Sequence, residues 1–142
     1  MTLGLTPYLF MDGNAKEAIS FYEQALGARV QFVQSFGEMP ENAEFPLPEA
    51  AKGRISHAML KVGESDLMLS DSFPGHSPQI GNQVTICIQS SDKERSHAIF
   101  EALQQGGQVQ MPLQETFFSP AYGTVTDKFG VTFHIFTEGA QP

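Results

Sequence analysis

The sequence predicts an α+β fold built from two tandem βαβββ modules. Three observations carry that prediction: two helix patterns with matching start and stop signals, an ungapped self-alignment at an offset of 79 residues, and alternating apolar and polar runs around each helix. At 142 residues the chain has the size of one domain, 1–142, with module 1 over about 3–75 and module 2 over about 80–138.

Residues 14–26 (NAKEAISFYEQAL) set Ala18, Tyr22 and Ala25, flanked by Ile19 and Leu26, on one face of a helix. Asn14 is the expected N-cap, Glu17 stands three residues on, and Gly27 follows the last turn, where a left-handed residue is wanted. The second helix follows the same grammar: Ser91 and Glu94 as a capping box, Ile99, Ala102 and Leu103 as the apolar stripe, and Gly106 as the stop. Aligning Leu5 with Val84 brings Thr6 onto Thr85, Phe21 onto Phe100, Gly27 onto Gly106 and Val30 onto Val109, which an ancestral duplication explains.

Around the helices the period becomes two. Val84, Ile86 and Ile88 alternate with Thr85, Cys87 and Gln89; Val109, Met111 and Leu113 alternate with Gln108, Gln110 and Gln114. Both read as half-buried strands. Residues 54–62 and 66–71 form a hairpin across Gly63-Glu64-Ser65, and 122–127 and 131–137 form its counterpart across Lys128-Phe129-Gly130. The stretch 37–53, with Glu38, Glu41, Glu44, Glu49, Pro40, Pro46 and Pro48, reads as a solvated acidic loop.

Composition narrows the function. Sixteen acidic against eight basic residues give a net charge of −8, spread as ten against five in residues 1–79 and six against three thereafter. No basic surface is available for phosphates, so nucleic acid and anionic membrane are not expected partners. The single Cys87 excludes an internal disulfide and a Cys-built zinc site. With no apolar run of membrane length and no leader pattern, a cytoplasmic protein is expected.

Two βαβββ halves, with TPYLFMDGNAKEAISFYEQALGA from Thr6, SFGEMP at 35–40, ISHAML at 55–60, DLMLSD at 66–71, and QETFF with YGTVTDKFGV over 114–131, resemble the PhnB-like group of the vicinal oxygen chelate superfamily, which holds glyoxalase I, extradiol dioxygenases and bleomycin-resistance proteins. The resemblance implies curved mixed sheets around a cleft, helices on the outer faces, and a homodimer. In metal-dependent members it implies a divalent ion held by four ligands, commonly two His and two Glu, from the first and last strands of both modules. Here those slots fall at Thr6 or Pro7, Thr85 or Ile86, Ser70 and His134, so one imidazole stands where four strong ligands are required. No metal site and no cofactor are therefore expected, the alternative being a divalent metal on a different set such as Asp71, His57 and Glu115. Some PhnB-like sequences carry a 3-demethylubiquinone methyltransferase label. No Gly-rich strand-to-helix turn suited to a methyl donor is present in this one.

The candidate catalytic residues are His134 and His57, each on a strand, with a structural histidine as the competing reading. The candidate binding residues are Tyr8, Ser70, Asp71, Thr85, Gln114, Glu115, Phe118 and Tyr122, which would supply a cleft with apolar walls and polar anchors. Asp71 also suits a cap on the turn Ser72-Phe73-Pro74-Gly75, and Cys87 reads as a small packed thiol with no base near it. The expected function is binding of a small organic molecule. The alternatives are a lyase or oxidoreductase using a non-standard metal set that includes His134, a metal-free enzyme with His134 as base, and an interaction module with an empty cleft.

Overall fold

A computed structural model describes residues 2–40, 47–73 and 75–139. The elements run β1 (Tyr8–Met11), α1 (Ala15–Leu26), β2 (Arg29–Ser35), β3 (Ile55–Val62), β4 (Ser65–Asp71), β5 (Ile86–Ser90), α2 (Lys93–Leu103), β6 (Gln108–Thr116), β7 (Ser119–Thr126) and β8 (Thr132–Thr137), with single 3-10 turns at Phe36–Glu38 and Glu49–Ala51. The chain divides into two compact units, Met1–Gln79 and Ile80–Pro142. Each holds one four-stranded mixed sheet, in the order β1-β4-β3-β2 and β5-β8-β7-β6, and one long helix. The first strand of each unit pairs in parallel with the last, and the remaining pairs are antiparallel. The repeat read from the sequence is thus a repeat of topology.

In the first unit α1 packs across the sheet through Ala18, Ile19, Tyr22, Ala25 and Leu26, all buried. Strand alternation delivers Leu60, Leu67 and Leu69 to that side. Gly27 takes φ +65° and closes the helix, as its position after the apolar stripe requires. In the second unit α2 buries Ile99, Phe100 and Leu103 against Val125, Phe133 and Ile135. Ser96 lies in the same stripe, where its hydroxyl accepts from Thr137 Oγ1 at 2.7 Å, so the packed face includes a polar residue that an apolar pattern passes over.

Several local expectations are corrected. Asp92, one residue beyond Ser91, caps α2, its Oδ1 accepting from the N–H groups of Glu94 and Arg95 at 3.0 and 3.3 Å. α2 ends at Leu103, and the left-handed residue Gly106 (φ +72°) follows two residues after the Gln104 cap. β5 begins at Ile86, because pairing with β8 starts at Ile86↔Phe133. Val84 lies outside the ladder and is 85% exposed. β6 is largely exposed on both sides, since α2 packs chiefly on β7, β8 and β5. Of the acidic loop, Glu38 hydrogen-bonds Ser35 and Glu49 pairs with Lys52 at 2.9 Å, whereas Glu41, Glu44 and Pro46 lie outside the described residues.

Asp71 has a different role from either expected one. Asn14 holds the N-cap position of α1 but its side chain makes no capping bond. The cap comes from β4: Asp71 Oδ1 accepts from Gly13 and Ala15 N–H at 2.8 and 3.0 Å, and Oδ2 accepts from Ile55 N–H at 2.8 Å. One buried carboxylate therefore ties the start of α1, the start of β3 and the end of β4 together, as Oδ acceptors facing oriented amides and a helix N-terminus should. Asp71→Asn puts an amide donor against one of these three N–H groups. It is expected to cost about 3 kcal/mol in urea unfolding, with an unchanged result counting against the assignment.

Gly107 fills a comparable steric role in the second unit. A Cβ there would sit 2.2 Å from the carbonyl oxygen of Thr126, at the first rung of the β6–β7 pairing. Gly107→Ala is expected to destabilise by about 2 kcal/mol through forced displacement of β7, read as a drop in Tm.

Candidate functional site

In both units one face of the sheet carries the helix and the opposite face carries aromatic, thioether and hydroxyl side chains. Pairing register arranges those side chains in rows across the strands. In the first sheet one row runs Tyr8, Met68, Met59 and Phe32. Phe10 stands beside Ser70 in the next row, and Gln34 beside His57. In the second sheet one row runs Cys87, His134, Thr124 and Met111, and the next runs Gln89, Phe136, Tyr122 and Gln114.

On the first sheet the Tyr8 hydroxyl reaches over β4. It donates to Ser70 Oγ at 3.0 Å and lies 3.3 Å from His57 Nδ1. The Tyr8 ring stacks on His57 at 5.8 Å and meets Phe10 at 5.1 Å, and Phe32 approaches His57 from the other side at 6.0 Å. Ser70 is only 3% exposed beneath this layer. The result is a hydroxyl, an imidazole and three benzene rings on one continuous surface.

The second sheet carries a second tyrosine–histidine pair. Tyr122 Oη lies 2.5 Å from His134 Nδ1. Phe118, at the end of the β6–β7 hairpin, stacks parallel to Phe136 with 6.1 Å between centroids and meets Tyr122 edge-on at 4.9 Å. Thr126 and Thr132 share a hydrogen bond at 2.8 Å farther along the same face. Edge-to-face and offset ring pairs at these separations are mutually attractive, so the cluster is held in place although Phe118 is 46% exposed.

Of the sequence-predicted residues, Tyr8, His57 and Ser70 are brought together on the first sheet, and Tyr122, His134 and Phe118 on the second. Gln114 is exposed beside Tyr122 at the β6 edge, Glu115 is exposed next to it on that edge strand, and Thr85 is half-buried just ahead of β5. Asp71 does not join them: alternation along β4 turns it to the helix side, opposite Ser70, where its oxygens are held by amides. Cys87 is exposed rather than packed, and it neighbours His134 in register. Partial burial pushes its thiol up from the usual range, away from the reactive thiolate. Phe10, Phe32, Met59, Met68 and Thr124 complete the two faces. Phe10 is legible from Tyr8 by period two, whereas Phe32 is placed by a β2–β3 register that shifts between Val30 and Phe32, which no local pattern reveals.

The donor set does not match two imidazoles and two carboxylates. The paired first and last strands offer Tyr8, Phe10, Met68 and Ser70 in one unit and Cys87, Gln89, His134 and Phe136 in the other. Among the described residues no three His, Cys, Asp or Glu side chains gather as a metal-holding group. The alternative set of Asp71, His57 and Glu115 loses its first member to the backbone amides. The turn from β1 into α1 is equally committed, because the Gly13 and Ala15 amides that a phosphate or cofactor would need already face the Asp71 carboxylate.

Comparison with known proteins agrees with this architecture. A family model, Glyoxalase/Bleomycin resistance protein/Dioxygenase superfamily, matches residues 4–135. Protein YjdN of Escherichia coli is 35% identical over 144 residues, covering 97% of each chain. The crystal structure of protein PA1353 from Pseudomonas aeruginosa is 37% identical, with a TM-score of 0.84 over 96% of this chain and 98% of that one. A PhnB protein from Bacillus cereus, described as a putative 3-demethylubiquinone-9 3-methyltransferase, shares the fold at 23% identity, with a TM-score of 0.77 over 95% of this chain and 99% of that one. With its duplicated βαβββ units and a match spanning nearly its whole length, the chain belongs to the glyoxalase/bleomycin resistance protein/dioxygenase superfamily.

Proposed function

We propose that the protein binds a small, ring-bearing organic molecule on the open faces of its sheets, as a homodimer. One observation carries this reading: the cluster of Phe118, Tyr122 and Phe136 lies on the face opposite α2, with Phe118 46% exposed, Tyr122 and Phe136 half-buried, and the Tyr122–His134 pair at its edge. Contiguous rings left open to water on a sheet face are costly, and they are commonly retained where a ligand or a partner covers them. The first sheet supports the same reading with Tyr8, Phe10 and Phe32 around His57. No helix among the described residues is long and apolar enough to cross a membrane. An exposed, unpaired Cys87 suits a reducing compartment such as the cytoplasm.

Binding needs no step at a metal. Rings supply stacking area, and the tyrosine–histidine pairs supply directional hydrogen bonds that distinguish one ring from another. The hydroxyl pair Thr126–Thr132 adds a further polar anchor on the second sheet.

A thermal-shift screen against aromatic compounds is expected to yield ligands that raise Tm. For those ligands Phe118→Ala should weaken binding about tenfold, the equivalent of roughly 1.4 kcal/mol. Ligands whose affinity ignores both Phe118→Ala and His134→Ala would contradict the assignment. Metal analysis of protein purified without chelators separates this reading from the metal enzyme. Substoichiometric metal is expected, and one equivalent of Zn, Ni, Fe or Mn lost in His134→Ala would favour catalysis over binding.

A further inference from the structure

We infer that the open face of the first sheet is a site for a planar ring compound that carries an N–H or O–H donor, with His57 Nε2 as the acceptor fixed by a Tyr8–Ser70 relay. This rests on the binding reading above and names the chemical class that one of the two faces takes.

The argument begins with a single hydrogen. A phenol has one O–H, and the Tyr8 hydroxyl donates to Ser70 Oγ at 3.0 Å. That direction suits the chemistry, because a phenol is the more acidic hydroxyl and an alkyl hydroxyl the better acceptor. Ser70 itself is buried, so its hydroxyl has little access to competing water. With its hydrogen committed, Tyr8 Oη can meet His57 Nδ1 only as an acceptor. In the neutral ring the proton therefore sits on Nδ1, and Nε2 carries a lone pair.

The tyrosine–histidine pair on the second sheet lacks this constraint. Among the described residues no third hydroxyl bonds to Tyr122 Oη or His134 Nδ1, so either atom can donate. The two pairs are also built from different strands: Tyr8 and His57 lie on β1 and β3, Tyr122 and His134 on β7 and β8. The register of 79 residues sets Tyr8 opposite Cys87, so duplication alone does not produce both pairs.

An acceptor set among three other rings selects its ligand. Tyr8, Phe10, Phe32 and His57 offer flat π faces, with Met59 and Met68 between them as polarisable filler. At one end of the same face Lys61 pairs with Asp66 at 2.8 Å, and Arg29 donates to the Gly63 carbonyl at 3.0 Å.

Indole and 1-methylindole test the inference, because they differ at the N–H and because a chain without Trp leaves indole fluorescence free of background. Indole is expected to bind about fivefold tighter than 1-methylindole. Ser70→Ala returns the Tyr8 hydrogen to His57 and should bring that ratio to about one, as should His57→Phe. Ring 15N signals of His57 should show the Nδ1–H form in the unaltered protein and the Nε2–H form in Ser70→Ala, a change that a merely structural serine would not cause. An Nε2–H ring in the unaltered protein, or equal affinities for the two indoles, would overturn the inference. A preference that vanishes in Phe118→Ala and survives in Ser70→Ala would overturn it too, while leaving ring binding on the second sheet intact. Failure of both indoles to bind any form of the protein would overturn the inference and the broader binding reading together.

Discussion

A four-stranded sheet has two faces, and each unit of this chain supplies one long helix. Covering one face with α1 or α2 satisfies the apolar residues that alternation sends to that side, and leaves the other face without a cover from its own unit. That side is not filled with charge, as a solvated face would be. It carries Tyr8, Phe10 and Phe32 in one unit and Phe118, Tyr122 and Phe136 in the other, with a histidine among each set. The functional reading follows from this one-sidedness more than from any single residue.

The open face must be held in shape if its spacing is to matter. In the first unit the Asp71 carboxylate does this from behind, fixing the approach of α1 and the start of β3 to the end of the strand that presents Ser70. In the second unit Asp127 closes the β7–β8 turn by accepting from Phe129 and Val131 N–H at 2.9 and 3.0 Å, which sets the register that brings Tyr122 beside Phe136. Ser119 ties the start of β7 to the end of β8 through the Thr137 carbonyl at 2.7 Å. Buried acceptors facing backbone amides recur on the helix side of both sheets, and the recognition chemistry sits on the other.

Much of the fold was legible because its signals are local. The helix face of Ala18, Tyr22 and Ala25, the left-handed stop at Gly27, and the alternation of Phe133, His134 and Ile135 each need only a few neighbouring residues. The site was legible where strand parity suffices: His134 shares a side with Phe136, and Tyr8 with Phe10. It was not legible where the contact depends on pairing between distant segments. The Asp71 carboxylate meets amides 16, 56 and 58 residues away, and its sequence neighbourhood resembles an ordinary turn. The exposure of β6 depends on where α2 ends its cover, and the Cys87–His134 adjacency depends on a parallel register. Duplication helped with topology, while the capping-box pattern misled on detail, since the α2 cap falls at Asp92, one residue beyond Ser91.

The methionines give the most direct test of the central claim. Met59, Met68 and Met111 lie in the rows of the open faces, and Met11 is buried on the helix side of the first sheet. With 13C-labelled methionine methyls and indole as the titrant, ring currents should shift Met59, Met68 and Met111 in a saturable manner and leave Met11 in place. A titration in which Met11 moves as far as the others, or in which none of the four moves, would contradict the assignment of the open faces as the binding surface.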